Sequence, residues 1–363
     1  MRAVVLTSNK QLEILNVEKP TIQSDECLLS IKYAGICSSD IYRAFDNGAY
    51  FYPLIMGHEF SGEIISIGTS VINFEIGDRV VAFPLKPCFK CDSCQNKLYA
   101  QCVQYDYYGS RCNGAFSEFL NVKSWNLLKV PEGVSLIDAC LLEPLAVVLH
   151  GITKLELKDT ESQDINIMLI GTGFLGFMLI DLLSKMYPKI KIDVVDRNQF
   201  KLDLLTNKTN ERFSLKNDQD WEVFLKDKKS FYRNVIELSG FSKNFERSIE
   251  LTKQNGKILW LSNITGNLTL SKNSVSSVLR KEIKIIGSWN SNYKSNKQND
   301  WEACLNLLES GYKPSNLVTK YIQLEEMPNI IHQMYSHKED NKKIEYIKYV
   351  VDINANLKHS SID

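Results

Sequence analysis

The 363-residue chain has no net charge, because 43 Lys and Arg stand against 43 Asp and Glu. A neutral balance gives no global support for a nucleic-acid or anionic-membrane partner, both of which are drawn by a basic field. The start, MRAVVLTSNKQLEIL, lacks a basic segment, a long apolar run and a cleavage site. It reads as a strand, a turn and another strand, so a secretory signal is not expected. The most apolar stretch, Ile165 to Met186, is interrupted by Gly171, Gly173, Gly176, Asp181 and Lys185, which argues against a membrane helix. There is no internal repeat and no low-complexity tract. These absences point to a soluble, cytoplasmic chain. In that setting the nine cysteines are not expected to form a disulfide framework.

What is present is ordinary globular material, 44% hydrophobic and 24% charged, at a length that suggests two domains. Residues 1–146 read as β-rich: ECLLSIKYAGI, FSGEIISIGTSV and DRVVAF mix β-branched and apolar residues and end at Gly or Asp turns. From 147 the pattern alternates strand and helix. NIMLI, KIDVVD, NVIELSG and GKILWLS read as buried strands, and FLGFMLIDLLSKM as a helix. Such alternation predicts a parallel sheet with crossover helices, and an α/β chain as a whole. From 288 onward come the helical WEACLNLLES and the strand IEYIKYVVDI. The loop SNYKSNKQND around Lys294 reads as solvated surface, and the polar tail NANLKHSSID as frayed.

The segment PCFKCDSCQNKLYAQC spaces Cys88, Cys91, Cys94 and Cys102 as C-x2-C-x2-C-x7-C. Four thiolates complete a tetrahedral zinc and leave no open position, which describes a structural site. Binding then offsets the entropy of ordering a loop with little core. Reduced cysteines in a loop, or an iron–sulfur cluster, are the alternatives. A nucleic-acid zinc ribbon would usually show two separated knuckles and a basic surround, and neither is here.

Gly171-Thr172-Gly173-Phe174-Leu175-Gly176 is a G-x-G-x-x-G run between a strand and an amphipathic helix, the context in which such a turn cradles a dinucleotide pyrophosphate. Asp196 closes the next strand, 20 residues after Gly176. A carboxylate there accepts from ribose hydroxyls and repels a 2′-phosphate, which favours NAD over NADP. Arg197, which can accommodate that phosphate, pulls the other way.

Cys37 in GICSSD, His58 and Glu59 in GHE, and Glu143 in LLEP are zinc-ligand types. Taken singly, each also has an ordinary explanation as core or solvated residue. Their surroundings change this. GHEFSGEIISIGTSV carries Gly57, His58, Glu59, Gly62, Gly68 and Val71 at the spacing of the zinc-containing alcohol dehydrogenase signature. GDRV at Gly77 to Val80, the cysteine lobe and the glycine turn follow in the same order. Over residues 1–350 the chain resembles the zinc-containing medium-chain dehydrogenase/reductase family. The resemblance implies a β-rich GroES-like catalytic domain, residues 1–146 completed by 288–363, and a Rossmann doubly wound parallel-sheet cofactor domain, residues 147–287. It implies two Zn²⁺ per chain, one catalytic and one structural. Cys37, His58 and Glu143 match the catalytic ligands, Glu59 an alternating or fourth ligand, and Ser39 the hydroxyl that passes the alcohol proton outwards. It also implies a homo-oligomer, dimer or tetramer.

Alcohol dehydrogenases of the best-known kind place a second cysteine where this chain has Glu143. A Cys/His/Glu set is similar to that of the polyol dehydrogenases. NGAYFYPLIMGHEFSG, PLKPCFKC, QCVQYDYYGSR and LRKEIKIIGSWN resemble the polyol-phosphate branch, of galactitol 1-phosphate type. The match is weaker in the cofactor half, as at WLSN, where a glycine is expected near Ser262. A phosphate needs a positive pocket near the metal. Arg43 and Arg111 are the candidates, with Tyr50, Tyr52, Trp289 and Asn290 as candidates to line the hydroxyl-binding site. The expected activity is zinc-dependent hydride transfer between a polyol phosphate and NAD. The alternatives are a dehydrogenase of free polyols or threonine, and a non-catalytic zinc- or dinucleotide-binding protein.

Overall fold

Runs of apolar residues become sheet interiors in the computed structural model, which describes residues 1–157, 165–295, 299–339 and 345–353. The tail beginning at 354, and residues 296–298 of the loop around Lys294, lie outside the described residues. The chain divides into two units, Met1–Ala146 with Ser291–Asp363, and Val147–Asn290. The return to the first unit falls at Ser291, three residues after the boundary read from sequence.

In the first unit the strand Glu26–Gly35 is central and buried along most of its length. It pairs antiparallel with Glu59–Ile67, Phe119–Lys123 and Tyr349–Asp352. Arg79–Ala82, Leu127–Lys129 and Lys320–Gln323 extend the sheet to seven strands. A three-stranded sheet, Gln11–Asn16, Arg2–Ser8 and Leu54–Ile55, shares the same core, which includes Leu6, Leu29, Ile31, Phe60, Phe116 and Ile331.

Register then decides where the chemistry lies. Gly35 stands opposite Glu59 on one side and opposite Val350 on the other. Three strand ends therefore meet at one place. Cys37 follows the first strand by two residues, and His58 and Lys348 immediately precede the second and the third. The pairing leaves room only for glycine: a Cβ on Gly35 would sit 2.1 Å from Glu59 Oε2.

The second unit is a six-stranded parallel sheet in the order Arg212–Ser214, Lys191–Asp196, Asn166–Ile170, Tyr232–Glu237, Thr252–Trp260, Lys284–Gly287. Chain order 3-2-1-4-5-6 is that of a doubly wound Rossmann sheet, whose ligands bind where the order reverses, beside the first strand. Strands buried on both faces carry near-continuous apolar runs, as Ile167–Ile170 does, and Lys191–Asp196 buries Ile192, Val194 and Val195 with Asp193 among them. The helix read from sequence as FLGFMLIDLLSKM is Phe174–Met186, with Phe177, Met178, Leu179 and Ile180 buried. Among the described residues no helix is long and apolar enough to cross a membrane.

The loop around Lys294 departs in part from its reading as solvated surface: Lys294 itself is exposed, but its neighbour is not. Tyr293 is buried, its ring stacked on Phe83 and edge-on to Trp125 and Trp301. Its hydroxyl donates to the Trp125 carbonyl at 2.8 Å, and Lys294 Nζ donates to the same carbonyl at 2.7 Å. A Tyr pays for burial once its hydroxyl finds a partner, and polar neighbours in the sequence concealed that anchor.

Candidate metal centre and dinucleotide turn

Cys37 is the N-cap of the short helix Ser38–Tyr42. Asp40, three residues on, accepts the Cys37 N–H at 3.0 Å, so the side chain that fixes this turn is fully buried. Its other oxygen lies 3.4 Å from His58 Nδ1. Cys37, His58 and Glu59 each offer a ligand atom, all within 4.8 Å of one another. A thiolate, an imidazole and a carboxylate so placed, the last two buried and Cys37 half-buried, suit zinc, and three protein donors leave a position open, as catalytic sites require. Burial draws the His58 pKa down, but Asp40 and the Cys37 thiol outweigh it and hold the imidazole well above its ordinary value.

The family resemblance ranked Glu143 with Cys37 and His58, and Glu59 as the alternate. In the structure Glu59 completes the triangle, and Glu143 has no oxygen inside it. Glu143 is buried in the first turn of the helix Leu142–Lys154 and accepts from the Tyr107 hydroxyl at 3.2 Å. Burial, opposed by His58 and reinforced by Glu59, pushes its carboxyl up to about 7. A cation placed among these donors would relieve that cost. Lys348 is the one buried ammonium at the site among the described residues. It contacts Glu59 Oε2 at 2.5 Å and donates to the Ile36 carbonyl at 2.9 Å. Ser39 is half-buried in the first turn of the Ser38–Tyr42 helix.

Cys88, Cys91, Cys94 and Cys102 form a second cluster whose sulfurs also lie within 4.8 Å of one another. Cys91 caps the helix Asp92–Gln95, and Cys102 follows the turn Tyr99–Gln101. The backbone N–H groups of Val103 and Cys94 bring the Cys91 thiol down to about 6, a thiolate prepared for metal. Four such sulfurs fit a closed zinc site.

In the second unit Gly171 takes φ 99°, and a Cβ there would lie 2.9 Å from the Ser239 backbone nitrogen. Gly176 packs equally closely, its absent Cβ 2.7 Å from the Gly171 carbonyl, whereas Gly173 faces open space. The buried Thr172 donates both its N–H and its hydroxyl to one Asp196 oxygen, each at 2.7 Å, while the other oxygen accepts from Asn198. Phe174 and Leu175 begin the helix, half-buried, and Arg197 is exposed. This turn, at the switch point of the sheet and opening a 13-residue helix, fits a dinucleotide pyrophosphate. Ser262, where a glycine was expected, donates to the buried Glu237 at the end of the neighbouring strand. Glu237 also accepts from Ser239 and Gly240, so the serine ties down the loop beside the turn.

The remaining candidates separate. The Arg111 guanidinium lies between the rings of Tyr50 and Tyr105, 4.3 and 4.6 Å from their centroids, and donates to the Tyr50 hydroxyl at 3.3 Å. Among the described residues no carboxylate lies within 4.0 Å of it. Arg43 is half-buried, and its charge helps hold the Asp40 carboxyl low. Tyr52 points elsewhere, accepting the Ala49 N–H. Trp289, half-exposed, and the buried Asn290 end the second unit.

The Alcohol dehydrogenase GroES-like domain family matches residues 23–132. Galactitol 1-phosphate 5-dehydrogenase of Escherichia coli (strain K12) is 31% identical over 314 residues, 85% of this chain and 88% of the relative. The chain belongs to the zinc-type medium-chain alcohol dehydrogenase family. D-arabitol-phosphate dehydrogenase of Enterococcus avium is 25% identical over 332 residues, 87% of this chain and 88% of that one. The crystal structure of galactitol-1-phosphate dehydrogenase from Escherichia coli superimposes with a TM-score of 0.85 at 27% identity, covering 97% of this chain and all of the other. The family's members matched here are oxidoreductases of alcohols and polyols, and this chain is of that kind.

Four residues went unread in the sequence: Asp40, Tyr107 and Lys348 at the metal triangle, and Lys201 near the glycine turn. The last is one turn into the helix that follows Asp196, its amine drawn down by burial and up by the Asp196 charge. Asp40 was detectable, since its spacing from Cys37 is that of a capping box. It orients His58, and a partner of that type is worth about 10–100-fold in metal affinity. Asp40→Asn should therefore lose the Cys37 zinc to a chelator about 10–100-fold more readily, while the four-cysteine zinc stays. Metal content after dialysis reads both.

Proposed function

We propose that the chain oxidises a secondary alcohol of a polyol phosphate, of galactitol 1-phosphate type, with NAD as the acceptor. The observation that carries the metal half of this reading is the Cys37–His58–Glu59 triangle, in which His58 and Glu59 are buried. The observation that favours a phosphate is Arg111, a cation held against two aromatic rings with no carboxylate within 4.0 Å among the described residues. Its side chain is already ordered, so little entropy is lost when it takes up an anion.

Zinc held by Cys37, His58 and Glu59 would supply Lewis acidity toward a substrate hydroxyl, and NAD in the glycine turn would supply the hydride acceptor. The chain's own residues do the rest. Asp40 fixes the His58 ring, and Lys348 fixes one Glu59 oxygen. Ser39, half-buried beside Cys37, accepts the alcohol proton and passes it outwards. Arg111 anchors the phosphate. Asp196 accepts from the ribose hydroxyls and disfavours a 2′-phosphate, which supports NAD. The same reading puts the enzyme in the cytoplasm, in keeping with nine cysteines none of which forms a disulfide. It also makes it a homo-oligomer, supported by the exposed edge strand Lys284–Gly287 and by exposed Val275 and Leu279 on the preceding helix Lys272–Arg280.

The test is a substrate panel on zinc-loaded protein: galactitol 1-phosphate, galactitol, sorbitol and threonine, each with NAD and with NADP. The highest kcat/KM is expected for the phosphate ester with NAD. Equal or better use of an unphosphorylated polyol would replace this reading with the free-polyol one, and no reduction of either dinucleotide would leave a binding protein. Arg111→Ala should cost about 10–100-fold in kcat/KM for the ester, the worth of a charge-assisted hydrogen bond. The slow reaction of free galactitol should not change.

A further inference from the structure

The first unit offers three donors in one triangle, the number a catalytic zinc uses, and a fourth candidate, the buried Glu143, bonded to a residue that stands against the triangle. Cys37, His58 and Glu59 lie together, and Glu143 stays outside their triangle. What holds it there is visible. Tyr107 ends the short strand Asp106–Tyr107, which pairs with Leu85–Lys86. Its carbonyl accepts from Ser110, Arg111 and Cys112, so its backbone is fixed from both directions. Its ring stands edge-on to His58 at 5.8 Å, and its hydroxyl reaches Glu143 Oε1 at 3.2 Å.

A fourth protein ligand would close the site into the structural pattern already formed by the four cysteines. We propose that Tyr107 is a positioning residue that withholds Glu143 from the metal and so keeps the fourth coordination position open to substrate. The inference rests on the reading of the Cys37 triangle as a zinc site. It assigns Glu143 the role of a neighbouring hydrogen-bond acceptor and leaves metal binding to the other three.

The experiment uses the full chain loaded with zinc, and separately with cobalt, as wild type, Tyr107→Phe, Glu143→Gln and the double variant. Zinc release to a chelator is followed without substrate, the four-cysteine zinc serving as the internal reference. Access to the open position is read by titrating azide into the cobalt form and following its visible spectrum. In Tyr107→Phe the freed carboxylate should close on the metal. Release should slow about 10-fold, the scale on which outer partners tune metal affinity, and the azide response should be lost. The double variant should regain it. Glu143→Gln alone, with Tyr107 intact, should release zinc and respond to azide as wild type does. If Tyr107→Phe releases zinc as fast as wild type and still answers azide, the tether is wrong. Loss of zinc on Glu143→Gln would equally overturn it, by making Glu143 a resident ligand. Wild type that binds a single zinc, at the four cysteines only, would overturn the metal reading itself and the tether with it.

Discussion

Replacing Cys37 by Ser, or His58 by Ala, should lower turnover by about a thousandfold or more, roughly 4 kcal/mol of barrier, while dinucleotide binding persists. Both residues belong to the triangle of donors, and removing either leaves two protein ligands for a buried dication. Asp40 would then hold an imidazole with nothing to orient it toward, or Lys348 a carboxylate without its partner metal. The glycine turn stands on a different core, built around Met168, Val195, Tyr232, Val235 and Ile258. It lies in the unit Val147–Asn290, and neither substitution touches that unit. Steady-state turnover and NADH fluorescence on binding separate the two effects. The double variant should be no worse than either single one, because residues that act as a unit lose their effect together. Near-normal turnover in either variant would falsify zinc chemistry at this site.

The second unit was legible almost residue by residue. The apolar residues of NIMLI and KIDVVD are buried because a parallel sheet is covered on both faces, and Phe174–Met186 coincides with the amphipathic run read beside the glycine turn. The metal triangle was legible only through the resemblance, since Cys37 and His58 taken alone look like core residues. Two kinds of information were out of reach. Lys348 is brought to Glu59 by a ladder that sets Val350 against Gly35, and nothing local to IKYVVD announces it. The division of labour between Glu59 and Glu143 depends on which carboxylate Tyr107 holds, a matter of side-chain direction that spacing does not encode. The Lys294 loop was misread for a related reason. Its polar residues obscured Tyr293, whose burial depends on Phe83 and Trp301 from distant segments.

The four-cysteine lobe should behave in the opposite way from the Cys37 site, and Cys94→Ser is the sharpest probe of it. Within residues 88–102 only Cys94, Ala100 and Cys102 are buried, and the regular structure is one four-residue helix and one three-residue turn. So small a core cannot offset the entropy of ordering the loop, and structural zinc contributes that free energy directly. The lobe also supports its neighbours. Phe89 and Tyr99 pack edge-on against Trp125 at 4.9 and 5.0 Å, and Trp125 in turn meets Tyr293. Losing one thiolate should release the metal and loosen that aromatic cluster. The expected result is one zinc per chain in place of two and tryptophan emission shifted to the red. New protease cuts should be confined to residues 88–102. A drop of about 10 °C or more in Tm should follow, since each kcal/mol moves a chain of this size by roughly 2–4 °C. Purified Cys94→Ser that kept two zincs and a wild-type Tm would show that the lobe is held by packing alone.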